Sequence, residues 1–187
     1  MNMLNLELYN KILGFEYAVC LMGKVCEDSP YHREPNVLFH TCMVCDWYKE
    51  STSEQEDWYW IGLFACLLHD IAKPVCRTRK ENVKRGVYYS YDRHDVVGAE
   101  MAEQILAKHG VSEFDIYRIS WMIAHHQIFW STKDNDIKVR MAKFLSNHNC
   151  YKAFKFFMLA DDFGRICDER TMDSWKYFAD FEREYMN

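Results

Sequence analysis

This sequence is short of punctuation. Three prolines and seven glycines are spread over 187 residues, so few positions force a helix to stop or the chain to turn sharply. There is no internal repeat, no low-complexity tract and no linker-like stretch. No apolar run approaches the roughly 20 residues of a membrane-spanning helix. Met1–Glu7 lacks a basic stretch followed by an apolar one, so no secretory signal is expected. The formal net charge is −5, and no segment is basic enough for a dedicated duplex-binding surface.

What is present suffices for a core. Apolar residues make up 49%, with 12 Phe, 12 Tyr and 6 Trp. This composition excludes a disordered chain and fits one domain spanning residues 1–187. Eight cysteines would suggest a disulfide scaffold in a short secreted chain. Without a secretion signal they read as free thiols in a reducing, cytoplasmic setting. Cys20, Cys66, Cys150 and Cys167 fall in helix-like segments, where cysteine behaves as a small buried hydrophobe. Cys42 and Cys45 share one helix face and lack a partner pair, so packing is the expected role.

Long periodic segments joined by short polar stretches predict an all-α fold. Leu4, Leu8, Ile12, Phe15 and Val19 recur at helical steps and predict one helix from Met3 to Gly23. Asp28-Ser29-Pro30 and Glu34-Pro35-Asn36 bracket a loop. Further helices are expected over 37–51, 54–68, 92–109, 114–129, 136–147 and 151–166, with Gly110 closing the fourth of the series. A terminal amphipathic helix, rich in aromatics, is expected over 171–185, either capping the core or forming a dimer face. Residues 75–92 differ. They carry Arg77, Arg79, Lys80, Lys84 and Arg85, then Val87-Tyr88-Tyr89-Ser90-Tyr91. This reads as a basic surface loop or short hairpin insertion folding back toward the end of the third helix.

The stretch Leu67-Leu68-His69-Asp70-Ile71-Ala72-Lys73-Pro74 carries the chemistry. An apolar helix ends in an imidazole and a carboxylate, which together offer half of a transition-metal ligand set. Pro74 is expected to push Lys73 out of the α region and to end the helix there. Other candidate ligands follow the same logic: His40, His94, His125, His126 and Asp161 fall at the ends or inner faces of predicted helices. Helical bundles build metal sites by projecting such residues inward. Neighbouring residues on a helix diverge by about 100°, so His125 and His126 cannot both point the same way. Asp161 follows Phe157 and Met158 on the apolar side and is expected inward, with Asp162 outward. His32, His109 and His148 are expected to be ordinary loop, helix-end and turn residues.

In order, these motifs resemble the HD superfamily of metal-dependent phosphohydrolases. The resemblance rests on Phe39-His40-Thr41, on Leu67 to Pro74, on Arg93-His94-Asp95-Val96-Val97-Gly98-Ala99, on Ile123-Ala124-His125-His126 and on Leu159-Ala160-Asp161. It covers about residues 36–165. Within the superfamily the chain is most similar to the domain appended to CCA-adding tRNA nucleotidyltransferases and to related stand-alone phosphohydrolases. The nucleotidyltransferase half itself is absent, so tRNA end repair is not implied. The acidic residue that usually follows His-Asp in the deoxynucleotide 5′-nucleotidase branch is replaced by Ala72-Lys73. The Gly-Tyr-Pro signature of cyclic-dinucleotide phosphodiesterases is missing after His126.

The resemblance implies an HD-like bundle holding one or two divalent ions among Mn, Ni, Co, Fe, Mg and Zn. His40, His69, Asp70 and Asp161 are assigned to the first ion. Asp70 bridges to a second, held by His94 and by His125 or His126. Asp70 and Lys73 are the expected catalytic residues, Lys73 steadying charge on the phosphoryl group. Lys73 and Arg77 are the expected substrate contacts. The implied activity is cleavage of phosphomonoesters or phosphodiesters of nucleotides, including 2′,3′-cyclic phosphates or RNA ends. The alternatives are a nucleotide- or signal-binding module without turnover and a di-iron oxygenase. No membrane partner is expected, and the sequence leaves the oligomeric state open.

Overall fold

The structure, a computed structural model, describes residues 4–26, 32–83, 86–167 and 173–186. The Asp28-Ser29-Pro30 turn, Lys84, Arg85 and the expected helix starts at Met3 and Thr171 lie outside the described residues. The elements are α1 (Leu6–Phe15), α2 (Tyr17–Met22), α3 (Val37–Ser51), α4 (Tyr59–Leu68), α5 (Lys73–Cys76), β1 (Thr78–Asn82), β2 (Gly86–Ser90), α6 (His94–Lys108), α7 (Glu113–Ser131), α8 (Asn135–Asn147), α9 (Tyr151–Phe163) and α10 (Ser174–Phe181). A π-helical turn over Glu182–Met186 closes the described chain. The all-α expectation holds, with one small hairpin added.

The organising element is α4. Ile61 to Leu68 are all buried, because a helix apolar on every side must be enclosed on every side. It packs against α3, α7 and α9, while α6 and α7 form the most extensive helix pair. Aromatic residues of α10 finish the core: Phe178 and Phe181 pack on Phe129, and Tyr177 donates its hydroxyl proton to the Phe129 carbonyl at 2.8 Å. The terminal helix therefore caps the core.

Several sequence expectations need correction. The predicted first helix is two helices, broken at Glu16, whose backbone is extended (ψ 122°). Its carboxylate is held by Lys108 Nζ and His109 Nε2, each at 2.7 Å. A long-range ion pair thus interrupts a segment that local periodicity reads as continuous. The third helix starts at Tyr59, five residues after its expected start. Cys20 is exposed, whereas Cys45, Cys66 and Cys150 are buried; all eight thiols are free.

The hairpin pairs Arg79 with Tyr89 and Lys80 with Tyr88 across an antiparallel ladder. Lys80 is also paired with Asp92 at 2.5 Å. The chain then returns to the start of α5 through Tyr91, whose ring lies under Lys73. Among the described residues, no helix is long and apolar enough to cross a membrane.

Candidate metal centre

Each candidate side chain owes its place to a local feature. Asn36 caps α3, its side chain accepting a hydrogen bond from the Phe39 amide at 2.8 Å, a device that fixes where a helix begins. His40 then falls one turn in, on the buried face. At the end of α4 the chain keeps turning through bonds from Ile71 N to Leu68 O at 3.2 Å and from Lys73 N to Asp70 O at 3.0 Å. These turns hold His69 and Asp70 together inside, at 1% and 2% exposure.

Lys73 is itself the first residue of α5, with Pro74 in the first turn. Proline is tolerated there because that turn's amide has no helical acceptor. The expectation that Pro74 drives Lys73 out of helical geometry is therefore wrong.

Arg93 precedes α6 with φ 64°, an uncommon conformation for a residue other than glycine. This turn lets His94 open the helix with its backbone N–H bonded to Tyr91 O at 3.1 Å. Gly164 sets the last contact. A Cβ at that position would lie 2.6 Å from the Ala160 carbonyl oxygen and 2.7 Å from Val44 Cα. Without one, the end of α9 lies against α3 one turn from His40, and Asp161 faces His40.

The side chains converge. His40 Nε2 is 3.3 Å from Asp161 Oδ1 and 3.8 Å from Asp70 Oδ2. His69 Nε2 is 3.2 Å from Asp70 Oδ2 and 3.6 Å from Asp161 Oδ1. His94 Nε2 is 3.3 Å from the other oxygen, Asp70 Oδ1. Donor atoms of His40, His69 and Asp70 lie within 4.8 Å of one another, and so do those of Asp70, His94 and His126. Asp70 thus belongs to both groups, presenting one oxygen toward each.

For three of the histidines, the outer ring nitrogen explains why Nε2 points inward. Nδ1–H of His69, His94 and His126 donates to the carbonyls of Cys66, Tyr91 and Ile123, at 2.8, 2.7 and 2.6 Å. Such bonds fix the tautomer and leave the lone pair on Nε2; that of His126 lies 3.3 Å from the Gln127 side-chain amide. The Nε2 atoms of His40, His69 and His94 are buried without a hydrogen-bond partner. Each orphaned polar atom costs about 1–3 kcal/mol. Lone pairs facing carboxylate oxygens also repel unless a proton or a cation stands between them. The donor set, imidazole nitrogen plus carboxylate oxygen, fits a divalent transition metal.

Electrostatics match this geometry. Burial opposes charge on His40, yet Asp161, Glu34 and Asp70 raise its pKa to about 9. His94 is likewise shifted up, Asp70 outweighing burial. Burial together with His94 and His69 pushes His126 down to about 4. Despite burial, His69 and Lys73 hold Asp70 well below the usual carboxylate range, and His40 and His69 do the same for Asp161.

Lys73 Nζ sits 2.8 Å from Asp70 Oδ2, with only 5% of the residue exposed. Other candidates stand apart. The His125 ring stacks on Trp121 at 4.0 Å, and its Nδ1–H donates to the Trp121 carbonyl. With Arg140, Ile137 and Phe144 it lines a different cavity. Arg77 is exposed, its guanidinium 3.6 Å above the Tyr89 ring on the hairpin.

Asp162 points away from the cluster into a second buried network, contrary to the expected outward orientation. It pairs with Arg165 at 2.7 Å and accepts from the Ser174 hydroxyl at 2.6 Å. Glu34 and His32 escaped sequence reasoning. Glu34, 1% exposed, lies between His32 and His40. A buried acid supplied by a loop has no periodic signature, and only the short His32-x-Glu34 spacing ahead of the His40 helix hinted at it.

Comparison with known families bears on the same residues. The HD domain profile matches residues 49–163, more than half of the chain. The chain belongs to the HD domain family. The matched HD segment contains His69, Asp70, His94, His125, His126 and Asp161 and begins downstream of His40, which the fold brings to 3.3 Å from Asp161. Comparison with curated proteins found no match. HD membership and the buried His/Asp cluster together support a metal-dependent hydrolase.

Proposed function

We propose that this HD protein is a phosphohydrolase that cleaves phosphomonoesters or phosphodiesters of nucleotides. The observation that carries the reading is the buried array of unpartnered Nε2 atoms around Asp70 and Asp161, with the Lys73 ammonium against Asp70. His40, His69, Asp70 and Asp161 would hold one divalent ion, and Asp70, His94 and His126 a second. When bound, such ions supply Lewis acidity toward a phosphoryl oxygen and toward the attacking water.

The chain's own groups do the rest. Asp70 ties the two halves of the centre together through its two oxygens. The carbonyls of Cys66, Tyr91 and Ile123 hold three imidazoles in the orientation a ligand needs. Lys73 keeps a positive charge at the edge of a water-poor site, where it would stabilise negative charge building on the phosphoryl group. Arg77 and Tyr89 offer a cation and a ring face at the hairpin for a second phosphate or a base.

The test is direct. Chelated, metal-free protein should be inert on p-nitrophenyl phosphate and bis(p-nitrophenyl) phosphate, and Mn, Ni or Co should restore turnover. A screen of nucleotides, 2′,3′-cyclic phosphates and RNA ends then defines the substrate. If no divalent ion yields hydrolysis of any phosphoester, the reading is wrong. An unhydrolysed ligand that co-purifies with metal would point to a binding module. Two irons with oxygen consumption would point to an oxygenase.

A further inference from the structure

Four imidazoles aim Nε2 at the centre, and three of them are steered by a backbone carbonyl behind the ring. His40 is the exception. Its Nδ1 makes no hydrogen bond; it faces the carboxylate of Glu34, with Oε1 3.4 Å away and both side chains fully buried. The same Oε1 accepts the Ile166 amide proton at 2.7 Å, and Arg33 N donates to Ile166 O at 2.9 Å. Glu34 is therefore pinned to the segment just beyond α9, the helix that carries Asp161. Its other oxygen, Oε2, is 3.4 Å from His32 Nδ1.

We infer that Glu34 is the positioning residue of the His40 ligand: in the metal-loaded protein its carboxylate accepts a hydrogen bond from His40 Nδ1–H, turns the Nε2 lone pair toward Asp161 and Asp70, and makes His40 the most electron-rich imidazole of the centre. The inference rests on the reading that this centre holds a divalent ion.

Two physical arguments support it. A carboxylate behind a ligating imidazole fixes the tautomer as a carbonyl does, and its full negative charge also raises the basicity of the ring. The arrangement is built from distant parts of the chain. Glu34 comes from the loop before α3, Asp161 from α9, and the Ile166 contact locks the two together. One acid thus sets both the ring orientation and the spacing between His40 and Asp161.

The experiment measures binding of Mn(II) and Zn(II) to the full chain by competition with a chromophoric chelator. It compares the wild type with Glu34→Gln, Glu34→Ala and His32→Ala. Thermal melts of the metal-free proteins confirm that each variant is folded. Glu34→Ala should weaken the ion held by His40, His69, Asp70 and Asp161 about 10- to 100-fold. Glu34→Gln, which keeps an acceptor oxygen for both Ile166 and His40, should weaken it less, because only the charge is lost. In the Zn(II)-loaded wild type, nitrogen-15 chemical shifts should show the His40 proton on Nδ1, and Glu34→Ala should broaden or lose that signal.

Wild-type affinity in both Glu34 variants overturns the inference and leaves the metal centre standing. Failure of the wild type to bind either ion overturns both. Loss of one whole ion per chain in His32→Ala would show that His32, Glu34 and His40 form a cation site of their own, and would also overturn the positioning role.

Discussion

Two consecutive carboxylates in α9 meet opposite environments. Asp162 has the Arg165 guanidinium on one oxygen and the Ser174 hydroxyl on the other, so its buried charge is matched. Asp161, one residue earlier, faces imidazole nitrogens of His40 and His69 that have no hydrogen-bond partner. Both are acids inside a core, and burial alone does not separate them. What separates them is whether the protein completes the site from its own atoms. A satisfied network joins α10 to α9 and is structural. An unsatisfied one, with carboxylates and lone pairs turned on each other, fits a ligand of opposite charge. The pair His125 and His126 repeats the lesson: the first stacks on Trp121, while the second joins Asp70 and His94.

The largest effect should come from the residue shared by both halves of the centre. Asp70→Ala should lower turnover of a phosphodiester by about three orders of magnitude or more, the several kcal/mol expected when metal-assisted stabilisation is lost. Steady-state kinetics with saturating Mn(II) measure this. The metal-free variant should still fold, which circular dichroism checks.

The histidine pair gives a closer contrast. His126→Ala should weaken one ion by about 10- to 100-fold or more, by analogy with the loss seen even for residues behind a ligand. His125→Ala should leave ion binding unchanged and cost about 1 kcal/mol of stability through its lost stacking on Trp121. Parallel titrations and urea melts separate them. Equal effects on ion binding would collapse the distinction.

Asp162→Ala should do the reverse of Asp70→Ala. The substitution takes the charged partner from Arg165 and the acceptor from the buried Ser174 hydroxyl, at a cost of about 1–3 kcal/mol. Ion affinity should stay near the wild-type value, because Asp162 bonds Arg165 and Ser174. If ion affinity fell while stability held, the comparison between the two acids would fail.

The last contrast is a slope with pH in the metal-free protein. His126 titrates at about 4 when folded, below its ordinary 6.5, so the unfolded chain takes up its proton first as pH falls. This group therefore destabilises the protein progressively from pH 6.5 to 4. His40, raised to about 9, contributes stability fully below pH 6.5 and loses it as pH rises through 9. Urea melts in the presence of chelator should show a decline on the alkaline side. Saturating metal should flatten it, because a bound ion takes the place of the His40 proton. A flat metal-free profile between pH 6.5 and 9 would contradict the His40 environment.

Most of the helical framework was legible from periodicity. The expected helix from Val37 to about Ser51 matches α3 because Leu38, Thr41, Cys45 and Tyr48 keep the helical step and a Glu34-Pro35-Asn36 loop precedes it. The α1–α2 break was not legible, because Glu16 is pulled out of the helix by Lys108 and His109, about ninety residues away. Lys73 was misjudged because a rule about the residue before proline gave way to a short helix that starts there. In the candidate centre, the inward bias of Asp161 followed from Phe157 and Met158, but the second buried network around Asp162 did not. Arg165 lies three residues on, whereas Ser174 comes from another helix.

By itself the sequence determined that the chain is helical, that α4 is central and that an imidazole–carboxylate pair ends it. Helix period, capping and apolar content act over a few residues, so they can be read directly. Only the tertiary structure decided which histidine of the 125–126 pair meets Asp70, that Glu34 stands behind His40, and that α9 comes close enough to Val44 of α3, at Gly164, for Asp161 to face His40. Those outcomes depend on how closely helices distant in sequence approach each other and on the direction each side chain takes when they do, and no local pattern encodes either.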